Sequence, residues 1–116
     1  MLKVFVYPKC STCKKALAFL RDTGVPHEAV DISKEGPPTA ALREMIRRRG
    51  SVRAVFNTSG QSYRNGGFSE QLSGMSEQEA LQALAADGML VKRPFVLSDS
   101  AALVGFKPEE WKALVK

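Results

Sequence analysis

Apolar and polar residues alternate at the start of the chain, Leu2-Lys3-Val4-Phe5-Val6-Tyr7, and the β-branched and aromatic content predicts a strand over residues 2–7. After Cys10 the period changes. Ala16, Leu17, Phe19 and Leu20 share one helical face, which predicts a helix from about Ser11 to Thr23, stopped by Gly24. Val25 to Ile32 places Val30 and Ile32 among polar neighbours and predicts a second strand. Strand, helix and strand in this order make a right-handed parallel βαβ unit. A polar connection over residues 33–38 leads to Pro37-Pro38, which can open a helix with Leu42, Met45 and Ile46 inward and Gly50 at its end. Ser51 is expected to cap a short helix carrying Val52, Val55 and Phe56.

Two turn clusters follow, Asn57-Thr58-Ser59-Gly60 and Asn65-Gly66-Gly67, and Phe68 to Ser73 reads as a short helix or turn. Ser76-Glu77-Gln78-Glu79 is a capping box that opens a helix with Ala80, Leu81 and Leu84 inward, closing near Asp87-Gly88. Phe95–Leu97 and Ala102–Val104 flank Ser98-Asp99-Ser100 and predict an antiparallel hairpin. Lys107-Pro108-Glu109-Glu110 opens a last helix whose apolar face is Trp111, Leu114 and Val115. The pattern contains no internal repeat, linker or low-complexity segment.

Length and composition narrow the classes. The 116 residues, 44% apolar and 25% charged, are the size and balance of one globular domain. No stretch approaches the ~20 apolar residues of a membrane span. The N-terminus lacks an apolar segment followed by a small-residue cleavage site, so a cytoplasmic address is expected. The net charge of +5 concentrates in Arg47-Arg48-Arg49, near Arg53. These arginines fall in the last turn of a predicted helix, where cations suit the helix dipole. No aromatic residues are interleaved to stack bases, so direct nucleic-acid binding is not expected. No coiled-coil heptad is present, and a monomer is expected.

The two cysteines, Cys10 and Cys13, carry the candidate chemistry. A secreted disulfide framework uses more cysteines, and a closed zinc site needs four ligands where this chain offers two Cys and His27. C-x-x-C beside a βαβ pattern reads as a thiol redox motif. A free thiol has a pKa near ~8.5, and the unpaired N–H groups and dipole at a helix N-terminus stabilise its anion. Cys10 stands where that effect is strongest, which makes it the candidate nucleophile. Cys13, one turn on, is the candidate resolving thiol, and Lys14 and Lys15 add positive charge. The alternative is a pair of inert cysteines at a helix start. The element order β-α-β, several helices, β-β-α, taken with the dithiol position, predicts a thioredoxin-like (glutaredoxin-like) α/β fold. Its mixed four-stranded sheet would be built from about residues 1–33 and 90–116, with a helical insertion over about 34–89, in one domain spanning 1–116. Arg93-Pro94 precedes the third strand and is compatible with a cis peptide beside the dithiol; the bare dipeptide equally fits an edge-strand proline with a solvated arginine. His27 could serve as a base or stand as an ordinary strand residue, and Tyr63 and Arg64 could line a site or pack in a loop.

Tyr7-Pro8-Lys9-Cys10-x-x-Cys13-Lys14-Lys15-Ala16, Phe56-Asn57-Thr58-Ser59-Gly60, Asp87-Gly88-Met89-Leu90, Lys92-Arg93-Pro94 and Val104-Gly105-Phe106 resemble, in order and spacing, the arsenate reductase/Spx family. The likeness covers essentially the whole chain and is greatest to its small Spx-like, arsenate reductase-like branch. It implies an active-site cysteine at Cys10, a cis proline at Pro94 and an anion-contacting arginine at Arg93. It also implies glutathione with glutaredoxin, or thioredoxin, as electron donor; no bound cofactor is expected, and the ligand count leaves no metal expected. Ser11, Thr12 and Lys14 within the motif become candidate binding residues. Typical reductases of the family have serine where Cys13 stands and hold arsenate with three arginines. Arg93 matches one; Asn57 and Lys107 occupy the other two positions and cannot reproduce the bidentate guanidinium fork. Spx itself carries C-x-x-C and binds RNA polymerase. The resemblance therefore implies a small-molecule or protein-disulfide reductase, an arsenate reductase, or a redox-sensing regulator that contacts RNA polymerase.

Overall fold

The computed structural model describes residues 2–58 and 60–115. Strands β1 (Leu2–Val6), β2 (His27–Asp31), β3 (Phe95–Leu97) and β4 (Ala102–Val104) form one mixed sheet in the order β2-β1-β3-β4. β1 and β2 run parallel, from Leu2 opposite His27 to Val6 opposite Asp31, and helix α1 (Ser11–Asp22) makes the crossover. β3 is antiparallel to both of its neighbours, with Phe95 opposite Phe5 on one side and Val104 on the other. This is the thioredoxin-like order. α2 (Thr39–Arg49), α3 (Gln61–Asn65), α4 (Phe68–Gln71) and α5 (Glu77–Ala86) stand between β2 and β3, and α6 (Pro108–Trp111) follows β4 and runs into a turn of 3-10 helix, Lys112–Leu114.

Strand alternation divides the core in two. Val4 and Val6 of β1, Val96 of β3 and Leu103 of β4 face α1 and α6, where they meet Cys13, Ala16, Leu20 and Trp111. Phe5, Phe95 and Val104, one residue out of phase, face the insertion and meet Leu42, Met45, Ile46, Leu81 and Leu84. Successive strand residues point to opposite faces, so one run of apolar residues serves two layers. Each fully buried aliphatic side chain contributes about 1.5–3 kcal/mol.

The insertion is tied to the sheet at three places. Phe56 and Val91 form an antiparallel bridge, flanked by Asn57 N–H to Leu90 C=O and Lys92 N–H to Val55 C=O, both 2.7 Å. The last turn of α2 reaches the β3–β4 hairpin: Arg48 Nη1 donates to Ser98 C=O at 2.7 Å and Arg49 Nη1 to Ala102 C=O at 3.1 Å. Gly88 lies against the exit of β2 so closely that a Cβ there would sit 2.2 Å from the Ile32 carbonyl oxygen. The capping box forms as the sequence predicts, with Glu79 N–H on Ser76 Oγ at 3.1 Å and Ser76 N–H on Glu79 Oε1 at 3.0 Å.

Several expectations are corrected. Ser51 caps nothing: the turn of 3-10 helix Arg53–Val55 starts from Val52 without a side-chain cap, and Phe56 is extended, drawn out of helix by its bridge to Val91. Residues 61–65, given no element by the sequence, form α3 and bury Tyr63 against Phe56 and Phe68. β2 is shorter than residues 25–32, because Val25 N–H still bonds to Leu20 C=O at the end of α1. Val115 lies beyond the final helical turn and is 38% exposed, so it adds nothing to the apolar face of Trp111 and Leu114. Ser59, in the first turn cluster, lies outside the described residues.

Candidate active site

β1 ends at Val6, and Tyr7-Pro8-Lys9 turns the chain into α1, closed by Cys10 N–H on Tyr7 C=O at 3.0 Å. Cys10 is the N-cap of α1, with extended backbone, and its sulfur accepts the N–H of Cys13 at 3.3 Å. A thiol thus fills the capping position usually taken by a hydroxyl or carboxylate, so its anion meets an unpaired helix N–H. Cys13 is 1% exposed, packed under the helix among Val4, Val6, Ala16 and Leu20, and its sulfur accepts the N–H of Tyr7 at 3.5 Å. Both cysteines are free thiols, Cys10 partly accessible.

The Arg93–Pro94 peptide is cis. Arg93 projects beside Cys10, its guanidinium 5.1 Å from the centroid of the Tyr7 ring, while Nη1 donates to Met89 C=O at 3.4 Å. Its Nε is buried and meets no acceptor among the described residues.

The two sulfurs are driven apart electrostatically. Burial raises the Cys10 thiol, but the hydrogen bonds from Cys13 and the charge and hydrogen bond of Arg93 outweigh it, leaving Cys10 below its ordinary value. Burial dominates at Cys13 and, with the neighbouring Cys10, pushes its thiol up to about 12 despite the Tyr7 N–H and Arg93. One sulfur is disposed to be a thiolate and the other to keep its proton.

Cys10 opens into a cleft of about 360 Å³ lined by Thr12, Asn57, Lys92, Arg93, Gly105 and Lys107, with Val104 and Phe106 completing the wall. Asn57 arrives on the Phe56–Val91 bridge, and Lys107 is the N-cap residue of α6. Of the residues expected from sequence, Cys10, Thr12, Asn57, Arg93 and Lys107 thus converge. Ser11 and Lys14 are exposed on α1 and do not line the cleft. His27 pairs with Leu2 at the other end of the parallel strands, and its Nδ1 is 2.8 Å from Val25 C=O. Tyr63 belongs to the core. Lys92 and Tyr7 gain places that the sequence reading had not given them, although both stand in the motifs that carried the resemblance. Larger hollows of about 510 and 610 Å³ lie around Leu2 and Ser98 and contain no thiol. Among the described residues no three His, Cys, Asp or Glu side chains are grouped to hold a metal, and no helix is long and apolar enough to cross a membrane.

A family model for ArsC matches residues 5–114, a span that runs from β1 through the thiol helix and cis proline to the final turn. The chain belongs to the ArsC family. This ArsC-family chain is 38% identical to the uncharacterized protein YusI of Bacillus subtilis strain 168, over 96% of its own length and 95% of YusI. It is 27% identical to an arsenate reductase of Neisseria meningitidis serogroup A, covering 98% and 97% of the two chains. The global transcriptional regulator Spx of Listeria innocua matches at 20% identity over 95% of this chain and 83% of Spx. A crystal structure of an ArsC-family-related protein from Bacteroides fragilis superposes with a TM-score of 0.91 at 39% identity, covering 97% and 96%. The ArsC-family fold therefore accounts for the whole sheet and its insertion, and its members include proteins named as reductases and as regulators.

Proposed function

We propose that this ArsC-family chain is a thiol-dependent reductase in which Cys10 is the nucleophile and Cys13 the resolving thiol. The observation that carries the reading is the Cys10 sulfur at the N-cap of α1, beside Arg93 and open to the cleft. The Cys10 thiolate attacks one sulfur of a disulfide substrate, forming a mixed disulfide and expelling the other half as a thiolate. Cys13 then loses its proton to that leaving thiolate and attacks Cys10. The mixed bond breaks, the second half of the substrate departs as a thiolate, and a Cys10–Cys13 disulfide remains. The substrate has gained two electrons. Glutathione with glutaredoxin, or thioredoxin, returns them to the pair. Arg93 stabilises the thiolate, and Pro94 holds the facing wall.

Cys10→Ser should lower turnover of a disulfide substrate by on the order of 10³-fold or more. Retention of wild-type turnover by that variant would sink the assignment. Substrate choice follows from the cleft. It holds one guanidinium, with Asn57 and Lys107 alongside, so a compact oxyanion finds fewer bidentate partners than three arginines would give. This favours an organic or protein disulfide over arsenate. Saturable arsenate binding that is lost in Arg93→Ala would reverse the preference. The likeness to Spx supports a second reading, a redox-dependent contact with RNA polymerase. Its test is capture of purified polymerase by the oxidised but not the reduced chain.

A further inference from the structure

Tyr7 contacts Cys10, Cys13 and Arg93. Its carbonyl oxygen accepts the N–H of Cys10 at 3.0 Å, its own N–H meets the sulfur of Cys13 at 3.5 Å, and its ring lies 5.1 Å under the Arg93 guanidinium. The first two contacts are main-chain and would be available to most residues. The third depends on the side chain.

Among the described residues Arg93 is held without a carboxylate, unlike Arg47 and Arg49. Arg47 is paired with Glu44, and Arg49 reaches Glu110. No carboxylate among the described residues lies within ion-pair distance of Arg93. A carboxylate would fix the guanidinium and also cancel its field at Cys10. An aromatic face attracts a cation through its quadrupole and carries no net charge. It can therefore orient the guanidinium and leave the positive field intact. Apart from its interaction with Cys10, Arg93 donates among the described residues to Met89 C=O at 3.4 Å, long enough to be a weak restraint. The ring is the broad surface against which Arg93 is set.

We infer that Tyr7 is a positioning residue of the thiol site, its ring holding the Arg93 guanidinium beside Cys10 without neutralising it. The inference rests on the proposed role of Cys10 as the thiolate nucleophile and names what organises its charge. It requires a side chain with an aromatic face, and no phenolic hydroxyl.

The test is the pH dependence of Cys10 alkylation by iodoacetamide in the full chain, with the modified sulfur identified by mass spectrometry. Thermal melts establish that each variant is folded. Tyr7→Leu should move the midpoint of the profile upward and slow alkylation at neutral pH by roughly threefold to tenfold. Tyr7→Phe should keep the wild-type profile, and Tyr7→Met supplies the same comparison if Tyr7→Leu does not fold. On an Arg93→Ala background, Tyr7→Leu should produce no further shift. A wild-type profile in Tyr7→Leu or Tyr7→Met overturns the inference, as does a shift that persists undiminished without Arg93. A wild-type midpoint at the free-thiol value, unmoved by Arg93→Ala, would overturn the thiolate reading itself and this inference with it. A low wild-type midpoint that responds to Arg93→Ala but not to loss of the Tyr7 ring would overturn the Tyr7 inference alone.

Discussion

The two faces of the sheet do different work with the same strands. On one face, Val4, Val6, Val96 and Leu103 pack against α1 and α6 and hold Cys13 dry. On the other, Phe5, Phe95 and Val104 pack against the insertion, which sends Asn57 and Lys92 to the cleft through the Phe56–Val91 bridge. The first face seats both sulfurs. The second supplies part of the cleft wall around Cys10. If this division is real, damage to either face should cost stability, but only damage beside α1 or at the Tyr7–Arg93 contact should alter the thiols.

The largest effect is expected at Trp111, which is fully buried, contacts Phe19 and Phe106 edge-on and donates Nε1–H to Gly105 C=O at 3.1 Å. Trp111→Ala should lose about 3–5 kcal/mol in urea unfolding. It should also disturb Cys10 alkylation, because Gly105 lines the cleft. Leu84→Ala, in the insertion, should lose about 2–5 kcal/mol and leave the pH profile of Cys10 where it was. Equal disturbance of the profile by both variants would show that the two faces are not separable.

Next comes the seam between them. At Gly88 a new Cβ would meet the Ile32 carbonyl at 2.2 Å, and that oxygen belongs to backbone that cannot rotate away as a side chain could. Gly88→Ala should therefore cost about 1–3 kcal/mol by overpacking. An unchanged unfolding midpoint would mean that the insertion is not pressed against β2 as described.

The same division governs what the sequence made readable. The face that carries the chemistry rests on a period-2 strand, a 3.6-period helix and a C-x-x-C at their junction, all local signals. Cys10 and Cys13 were accordingly placed by pattern, and Arg93 and Pro94 were brought to them by the resemblance. The insertion was harder. Phe56 leaves helix because of a bridge to Val91, thirty-five positions away, and no local preference at Ser51 or Phe56 announces it. α3 leaves no sequence signal, because Gln61–Asn65 is only a little over one turn long and shows no repeating face. Arg47-Arg48-Arg49 gave a helix end correctly, but the use of Arg48 and Arg49 as donors to the hairpin is a tertiary fact. Tyr7 reads from the local pattern as the last apolar residue of a strand, and from the resemblance as part of the thiol motif. Its place under Arg93 depends on bringing residues 7 and 93 together, which the antiparallel pairing of β1 and β3 accomplishes.

A pH-dependent effect sharpens the claim that the α1 face is dry. Cys13 in the folded chain holds its proton up to about 12 because burial disfavours the thiolate. In the unfolded chain the same thiol ionises near ~8.5. Between those values the folded state binds the extra proton, so stability must fall as pH rises through that window, with a slope of about 1.4 kcal/mol per pH unit from this group. Cys10 has the opposite sign: its lowered value stabilises the fold above the ordinary thiol pKa, and that gain is lost as pH falls through the lowered value. Above about pH 9 Cys10 is ionised in both states and adds little slope. Cys13→Ala should therefore flatten the alkaline limb of urea stability measured from pH 8.5 to 10.5, whatever constant loss its small cavity adds. Parallel limbs for wild type and variant would mean that Cys13 ionises as easily folded as unfolded. The sulfur would then be in contact with water, and the contrast between a dry face that seats the thiols and an insertion that frames the cleft would fail at its most buried sulfur.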